Sequence, residues 1–249
     1  MEHEVALRLG VSLGVLILMS SLEAWAPRRH RRQGRGERWS LHLVLALIGG
    51  IVGRVLAPVG AVAAATFAHQ RGWGLLHQLS WPAWAQVLLA VIALDLAVYG
   101  QHVMSHHWNW LWRLHRLHHL DLDLDATSGV RFHPLELAVS ILWKSTVVLA
   151  LGASAYAVVF FEIVLNASST FHHANLKLPL ALDAALRAFW VTPDMHRVHH
   201  SIVEQESRRN FGFAITLWDR LFGTYQSQPA AGHLEMILGV EDPGKNGES

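Results

Sequence analysis

Asp95-Leu96-Ala97-Val98-Tyr99-Gly100-Gln101-His102-Val103-Met104-Ser105-His106-His107 marks the point where an apolar run, begun near residue 83, ends in histidines. Asp95, Tyr99 and His102 follow one another at helical spacings of four and three. His102 and His106, at i and i+4, stand about one turn apart on one helix face, where two imidazoles can grip one metal ion. His115-Arg116-Leu117-His118-His119 repeats the device at i, i+3 and i+4. His196-Arg197-Val198-His199-His200 repeats it again, with His172-His173 ahead of it. Twelve of the 18 histidines fall between residues 102 and 200. Packing does not account for such runs, because imidazole is neither a strong helix former nor cheap to bury unpaired. So many convergent rings exceed what one four- to six-coordinate ion uses, and two ions is the economical reading. Imidazole suits iron, copper, zinc and nickel alike. With no cysteine in the chain, every ligand must be nitrogen or oxygen.

Around this centre the chain is apolar. A hydrophobic fraction of 52%, only 16% charged residues and a mean hydropathy of +0.26 point to a membrane protein. Candidate spans are 9–26, 41–57 with an extension to 67, 83–101, and the long stretch 137–165; the first three reach or approach the roughly 20 residues a crossing helix needs. The acidic start and the lack of a small-residue cleavage site favour a retained first span over a removed signal peptide. Arg28, Arg29, Arg31, Arg32, Arg35 and Arg38 follow the first span, whereas residues 68–82 carry only Arg71. That bias places the first loop in the cytoplasm and returns the third span to the same side, delivering His102 there. A single straight crossing by 137–165 would strand residues 172–200 on the opposite face, so we expect two re-entrant or paired helices with the turn at Gly152, Ala153 and Ser154; one long tilted helix is the alternative. Trp73, Trp81 and Trp84 at one end of the third span, and Trp108, Trp110 and Trp112 at the other, read as interfacial anchors. Arg8, Glu23, Arg54, Asp95, Lys144 and Glu162 are ionisable residues within spans, which flags function unless they snorkel from span ends. The expected fold is all-α: a multi-pass membrane helical bundle with a cytoplasmic helical cap that carries a histidine-ligated dimetal site. One membrane-embedded catalytic domain, 1–225, includes the cap at 102–133 and 168–225, and 226–249 is a tail expected to be disordered. A net charge of +1 without a basic face gives no sign of a nucleic-acid partner.

Longer motifs surround the histidines. They are Asp95-x-x-x-Tyr99-x-x-His102-x-x-x-His106, Trp112-x-x-His115-x-x-His118-His119, and Asp121-x-Asp123-x-Asp125-x-Thr127-x-Gly129-x-Arg131-Phe132-His133-Pro134-Leu135-Glu136. Phe171-His172-His173-Ala174-Asn175-Leu176, the run 192–201, Asn210-Phe211-Gly212 and the run 218–225 follow. Over roughly residues 95–225 this pattern resembles the fatty acid hydroxylase/sterol desaturase superfamily of integral-membrane di-iron oxygenases. The resemblance implies a ligand set of His102, His106, His115, His118, His119, His173, His196, His199 and His200. His173 is preferred to His172, whose position is freer in the pattern. His107 is turned about a third of the way round the helix from His106. His133 reads equally as a ligand or as a donor behind one. The family's hydroxylases carry a further histidine one turn before the His173 position, where this chain has Ser169, so the coordination count departs from theirs. Asp95, Tyr99, Asp121, Asp123, Asp125, Asn175 and Asp194 are available to hydrogen-bond free ring nitrogens. The competing role is capping, for which Asp194 after Pro193 is a natural N-cap; capping is favoured for Asp123, whereas Asp95 and Asp125 read as partners of the ring nitrogens. Isolated histidines, namely His3, His30, His42, His69, His77 and His233, are given no role, and 210–212 and 218–225 read as packing and turn elements.

What the resemblance implies is an O2-dependent oxidoreductase that hydroxylates or desaturates an unactivated C–H bond of a sterol, fatty acyl or related lipid. Its cofactors are two iron ions, with zinc able to take the same ligands in a preparation, and O2 is a co-substrate. No dinucleotide or haem motif is present, so electrons come from a separate ferredoxin, cytochrome or reductase. The alternatives are a zinc-dependent membrane hydrolase or isomerase, which needs a general base, and no HExxH occurs. A haem or metal carrier would hold its ligands within the spans rather than past their ends. A bacterial inner membrane and an endoplasmic reticulum fit the sequence equally.

Overall fold

The computed structural model describes residues 2–241, and among these the chain is helical with isolated bridges and no strand. Helix α1 is Glu2–Trp25, α2 Arg35–Leu56, α3 Ala61–Arg71, α4 Ala83–His107 and α5 Asn109–His119. Helix α6 is Pro134–Leu151, α7 Ala155–His173, α8 Leu180–Leu186 and α9 Pro193–His199. Among the described residues, four helical segments are long and apolar enough to cross a membrane: Glu4–Trp25, Arg35–Gln78, Ala83–His107 and Pro134–Leu151. Leu9, Leu13 and Ile17 on α1 and Leu43, Leu47 and Ile51 on α2 are exposed, the outward apolar surface that lipid covers.

The stretch 137–165 is two helices, α6 and α7. Gly152 ends α6 in the left-handed region at φ 68°, and Ser154 starts α7 by accepting the Ala157 N–H at 3.2 Å. Eighteen and 19 residues give lengths of about 27 and 28 Å, close to the hydrocarbon thickness. Both the start of α6 and the end of α7 therefore lie at the end where α4 places His102. Gly152 is enforced twice over, since a Cβ there would also overlap the Trp73 carbonyl oxygen. Gly152→Val is expected to cost more than the roughly 1–2 kcal/mol of the left-handed backbone alone, read as a lower unfolding midpoint in detergent.

Two expected boundaries are corrected. The span 41–67 is not one helix: Pro58 lies in the 3-10 turn Ala57–Val59 and Gly60 is extended, so α2 stops and α3 starts again to pack on α6 and α7. A straight helix of all 44 residues from Arg35 to Gln78 would reach about 66 Å, twice the hydrocarbon layer. The tail is likewise folded back as far as residue 241. Met236 and Leu238 are buried against Leu124, and the Gly239 N–H donates to the His200 carbonyl at 3.1 Å. Burial of that apolar pair outweighs the glycine-rich composition; residues 242–249 lie outside the described residues.

Small side chains let the central helices approach. Ala61, Ala64 and Ala65 of α3, Ala90 of α4 and Ala157 of α7 form one core with Leu94, Val148 and Phe161, the packing membrane helices use. Exposed Trp81 and Trp84 flank the start of α4, and Trp108 and Trp110 its end. The α1–α2 loop is pinned to the histidine end. Arg28 pairs with Asp194 at 3.0 Å, and the Arg32 and Gln33 N–H groups donate to Asp123 at 2.7 Å. Glu23 accepts the N–H groups of Ala126 and Asn175, each at 3.0 Å.

Candidate metal centre

Helix α4 runs past the apolar layer to His107, so its last turns project His102 and His106. On α5, Leu111, His115, His118 and His119 share the buried face while Arg113 is exposed. Thr192 caps α9 by accepting the Met195 N–H, and Pro193 fills its first position.

Nine buried histidines gather in two adjacent groups. His102, His106, His115, His119 and His199 form the first; His118, His173, His196 and His200 form the second. Within each group the ligand-capable atoms lie within 4.8 Å of one another. The division follows helix geometry. Positions i and i+4 differ by about 40°, whereas i+3 lies about 100° from i+4. His115 and His119 thus share one group and His118 goes to the other; His196 and His200 share one group and His199 crosses over. Helices α5 and α9 each serve both groups, which holds the groups side by side. The ring centroids of His119 and His200, one from each, are 4.4 Å apart.

Hydrogen bonds at Nδ1 aim several Nε2 atoms inward. His102 donates to the Phe211 carbonyl at 2.7 Å, His118 to that of Arg131 at 3.1 Å, His173 to that of Ser169 at 2.6 Å and His199 to that of Arg209 at 2.8 Å. His115 Nδ1 meets the Glu136 carboxylate at 2.6 Å. With Nδ1 protonated, Nε2 is a bare lone pair. Yet the Nε2 atoms of His118 and His173 are 3.0 Å apart, and those of His102 and His115 3.2 Å. No proton lies between such pairs unless one ring is cationic, and burial pushes the His118, His119, His196 and His200 imidazoles well below the ordinary histidine range and His199 down to about 3. His106 Nε2, His199 Nε2 and both nitrogens of His119 are buried without a hydrogen-bond partner among the described residues. Facing ring nitrogens of this kind fit a shared cation: two nitrogens, each about 2.1 Å from one ion at right angles, stand about 3 Å apart.

The other residues singled out in the sequence have different partners. His107 is exposed, bonded at 2.8 Å to its own helix at the Val103 carbonyl, and joins neither group. His133 caps α6, its Nδ1 accepting the Leu135 N–H at 3.1 Å. His172 is fully buried, with its ring 4.0 Å from that of His196 and Nδ1 on the Phe213 carbonyl, but lies outside both groups. None of the side chains proposed to orient the clustered rings bonds one of them. Asp95 accepts Trp218 Nε1 at 2.8 Å, Tyr99 bonds Thr224 at 2.9 Å, and Asn175 accepts the Arg29 N–H at 3.0 Å. Asp194 is held by Arg28 and Arg197. Asp125 is a capping residue, closing a capping box with Ser128 and pairing with Arg38 at 2.6 Å. Asp121 pairs with the same arginine, and Asp123 binds the backbone of the α1–α2 loop. Apart from Arg197 beside Asp194 and the local cap at Asp125, the groups that claim these side chains come from segments distant in sequence.

The orienting groups that sequence reading missed are mostly backbone carbonyls, which have no residue type to betray them. Glu136 was visible as part of the Phe-His-Pro-Leu-Glu run, and its place in the first turn after Pro134 was the available signal. Residues 210–212 do more than pack: Asn210 takes φ 54°, and Asp219 accepts the Phe211 and Gly212 N–H groups at 2.8 and 2.9 Å, presenting the Phe211 carbonyl to His102. Glu136→Ala is expected to weaken metal affinity about 10–100-fold, as losses of such hydrogen bonds do, while His107→Ala leaves it unchanged, both read by metal titration of the apoprotein.

Residues 87–224, more than half of the chain, match the fatty acid hydroxylase family. The chain belongs to the fatty acid hydroxylase family. The matched region holds all nine clustered histidines and the loop that orients His102. Among curated relatives, the chain is 25% identical over 224 residues to an ornithine lipid hydroxylase of Rhizobium tropici, covering 88% of this chain and 66% of that protein. It is 27% identical over 168 residues to the alkylglycerol monooxygenase of Homo sapiens, covering 68% and 36%. A cholesterol 25-hydroxylase of Rattus norvegicus is 23% identical over 147 residues, covering 58% and 48%. The chain thus spans just under two thirds of the first of these relatives and about a third to a half of the others. No solved structure matches it significantly.

Proposed function

We propose that this protein is an O2-dependent di-iron monooxygenase that hydroxylates a C–H bond of a membrane lipid. The observation that carries the reading is the pair of buried histidine groups with facing ring nitrogens, in a family whose curated relatives here are named hydroxylases and monooxygenases. In the balanced reaction, one oxygen atom of O2 enters the C–H bond to give C–OH. The other leaves as water, with two electrons and two protons from an external ferredoxin, cytochrome or reductase. His102, His106, His115, His119 and His199 would hold one ion, and His118, His173, His196 and His200 the other; bound iron supplies the O2 chemistry.

The chain's own residues bury the rings, hold Nδ1 of His102, His115, His118, His173 and His199 by hydrogen bonds, and set Phe211, Phe213 and Phe132 against them. Attachment of the arginine-rich loop to the histidine end supports a cytoplasmic position for the site, because that loop carries the charge that stays inside.

The test is elemental analysis of protein purified anaerobically with ferrous iron, together with O2 uptake on adding reductant and lipid. Two irons per chain, one for each group, and reductant-dependent uptake are expected. Tightly held zinc with oxygen-independent activity would overturn the proposal; zinc in an aerobic preparation alone would not, since it competes well for imidazole.

A further inference from the structure

Beside His102 and His115, α4, α6 and α7 meet around a cavity of about 130 Å³. Pockets that enclose drug-sized ligands run to roughly 300–1,000 Å³, so this one takes only a fragment of a lipid. Its lining is more polar than an alkyl chain requires. Helix α6 contributes Glu136, Ser140 and Lys144, each four residues from the next and therefore a stripe down one face. Asn166 and Ser169 face it from α7, and Gln101 from α4. Polar side chains within apolar helices are costly and persist where they line a substrate path.

Two of these atoms await a partner. Among the described residues, Gln101, 8% exposed, has no hydrogen bond to Oε1, and Glu136, 7% exposed, has none to Oε2. Both are acceptors, so what satisfies them is a donor: a hydroxyl, an amide N–H or an ammonium. Further along, Lys144 is neutralised by Glu162 at 2.9 Å, which Arg8 also holds. Depth agrees with this chemistry. Glu136 lies in the first turn of α6, and Ser169 in the last turns of α7. The acceptors therefore sit where helices leave the hydrocarbon, at the level of lipid headgroups.

We infer that the cavity takes the polar, hydrogen-bond-donating end of an amphiphilic lipid, so that the C–H bond offered to the histidine centre lies within a few bonds of that end and not mid-chain. The inference rests on the oxygenase reading and narrows its substrate class.

Its test uses iron-loaded protein in detergent with three amphiphiles, hexadecylglycerol, sphingosine and an N-hexadecanoyl amino acid amide, and with hexadecane as the headless control. Binding is read by native mass spectrometry, and the position of inserted oxygen by product fragmentation. At least one amphiphile is expected to bind about tenfold or more tightly than hexadecane and to be oxidised next to its polar end. Gln101→Leu should weaken that binding by about tenfold, the scale of one hydrogen bond, with iron content retained as the sign of an intact site. Ser140→Ala serves as a second, gentler variant. Equal binding of hexadecane and all three amphiphiles, mid-chain oxidation, or amphiphile binding indifferent to both substitutions would overturn the inference. If no probe drives O2 uptake the oxygenase reading fails, whereas the binding comparison still decides this one.

Discussion

His173→Ala is expected to empty the four-histidine group and bring lipid oxidation to background. The Nε2 of His173 stands 3.0 Å from that of His118 and 3.1 Å from that of His196, so it is the donor that ties α5 to α9 through α7. Three imidazoles then remain around a hole the size of the missing ring, and the affinity loss should exceed the roughly 10–100-fold that follows loss of an outer hydrogen bond. Iron measured after gel filtration should fall by about half, because the five-histidine group keeps all its donors. Added imidazole should restore part of the occupancy by filling that hole, a rescue that a merely unfolded variant cannot show. Unchanged iron content in His173→Ala would mean that this group does not bind the metal.

Arg38→Met is expected to be the most destabilising single change away from the histidines. Arg38, 4% exposed, bonds Asp121 through two nitrogens at 2.8 Å and Asp125 at 2.6 Å, and also reaches the Asp123 carbonyl. Removing it strands two buried carboxylates, a loss of about 3–5 kcal/mol against a typical total of roughly 5–15 kcal/mol. The unfolding midpoint in detergent should fall on the order of 10 °C. The effect should reach the metal centre too, because Arg131, 3.8 Å from Asp121, lends its carbonyl to His118. pH gives a further check. Burial by itself would raise the Asp125 carboxyl, but the Arg38 charge and hydrogen bonds from Thr127 and Trp39 outweigh it and hold it below its ordinary value of 3.8. A depressed carboxylate contributes stability above its unfolded value and loses it as pH falls through the folded one. The gap between wild type and variant should therefore narrow below about pH 3.8. A variant as stable as the wild type at neutral pH would show that the network is not holding the cap.

The limits of sequence reading are visible at particular residues. The i, i+3, i+4 spacings of residues 115–119 and 196–200 placed the histidines on common helix faces, and Gly152 was a recognisable turn. Asp95 and Asp125 read from the sequence as ring-orienting groups, and Asn175 and Asp194 were available for the same role, with Asp194 also a natural N-cap after Pro193. Arg197 and the Ser128 capping box are local partners of Asp194 and Asp125, but Trp218, Arg38, Arg29 and Arg28 lie far away in sequence, and short-range spacing carries no trace of them. Met236 and Leu238 show the same limit from the other side: an apolar pair in a glycine-rich stretch folds only because Leu124 and the His200 carbonyl are there to receive it.

Helical periodicity is a local property, so the amino-acid order alone settled the apolar helices, the histidine chelating pairs and the family to which they belong. Which ring joins which group, and which carbonyl or carboxylate fixes its tautomer, was decided only when α4, α5, α7 and α9 came together. Those contacts depend on the α6–α7 hairpin returning the chain to the same end of the bundle. They are made largely by backbone oxygens, whose chemistry is the same in every residue.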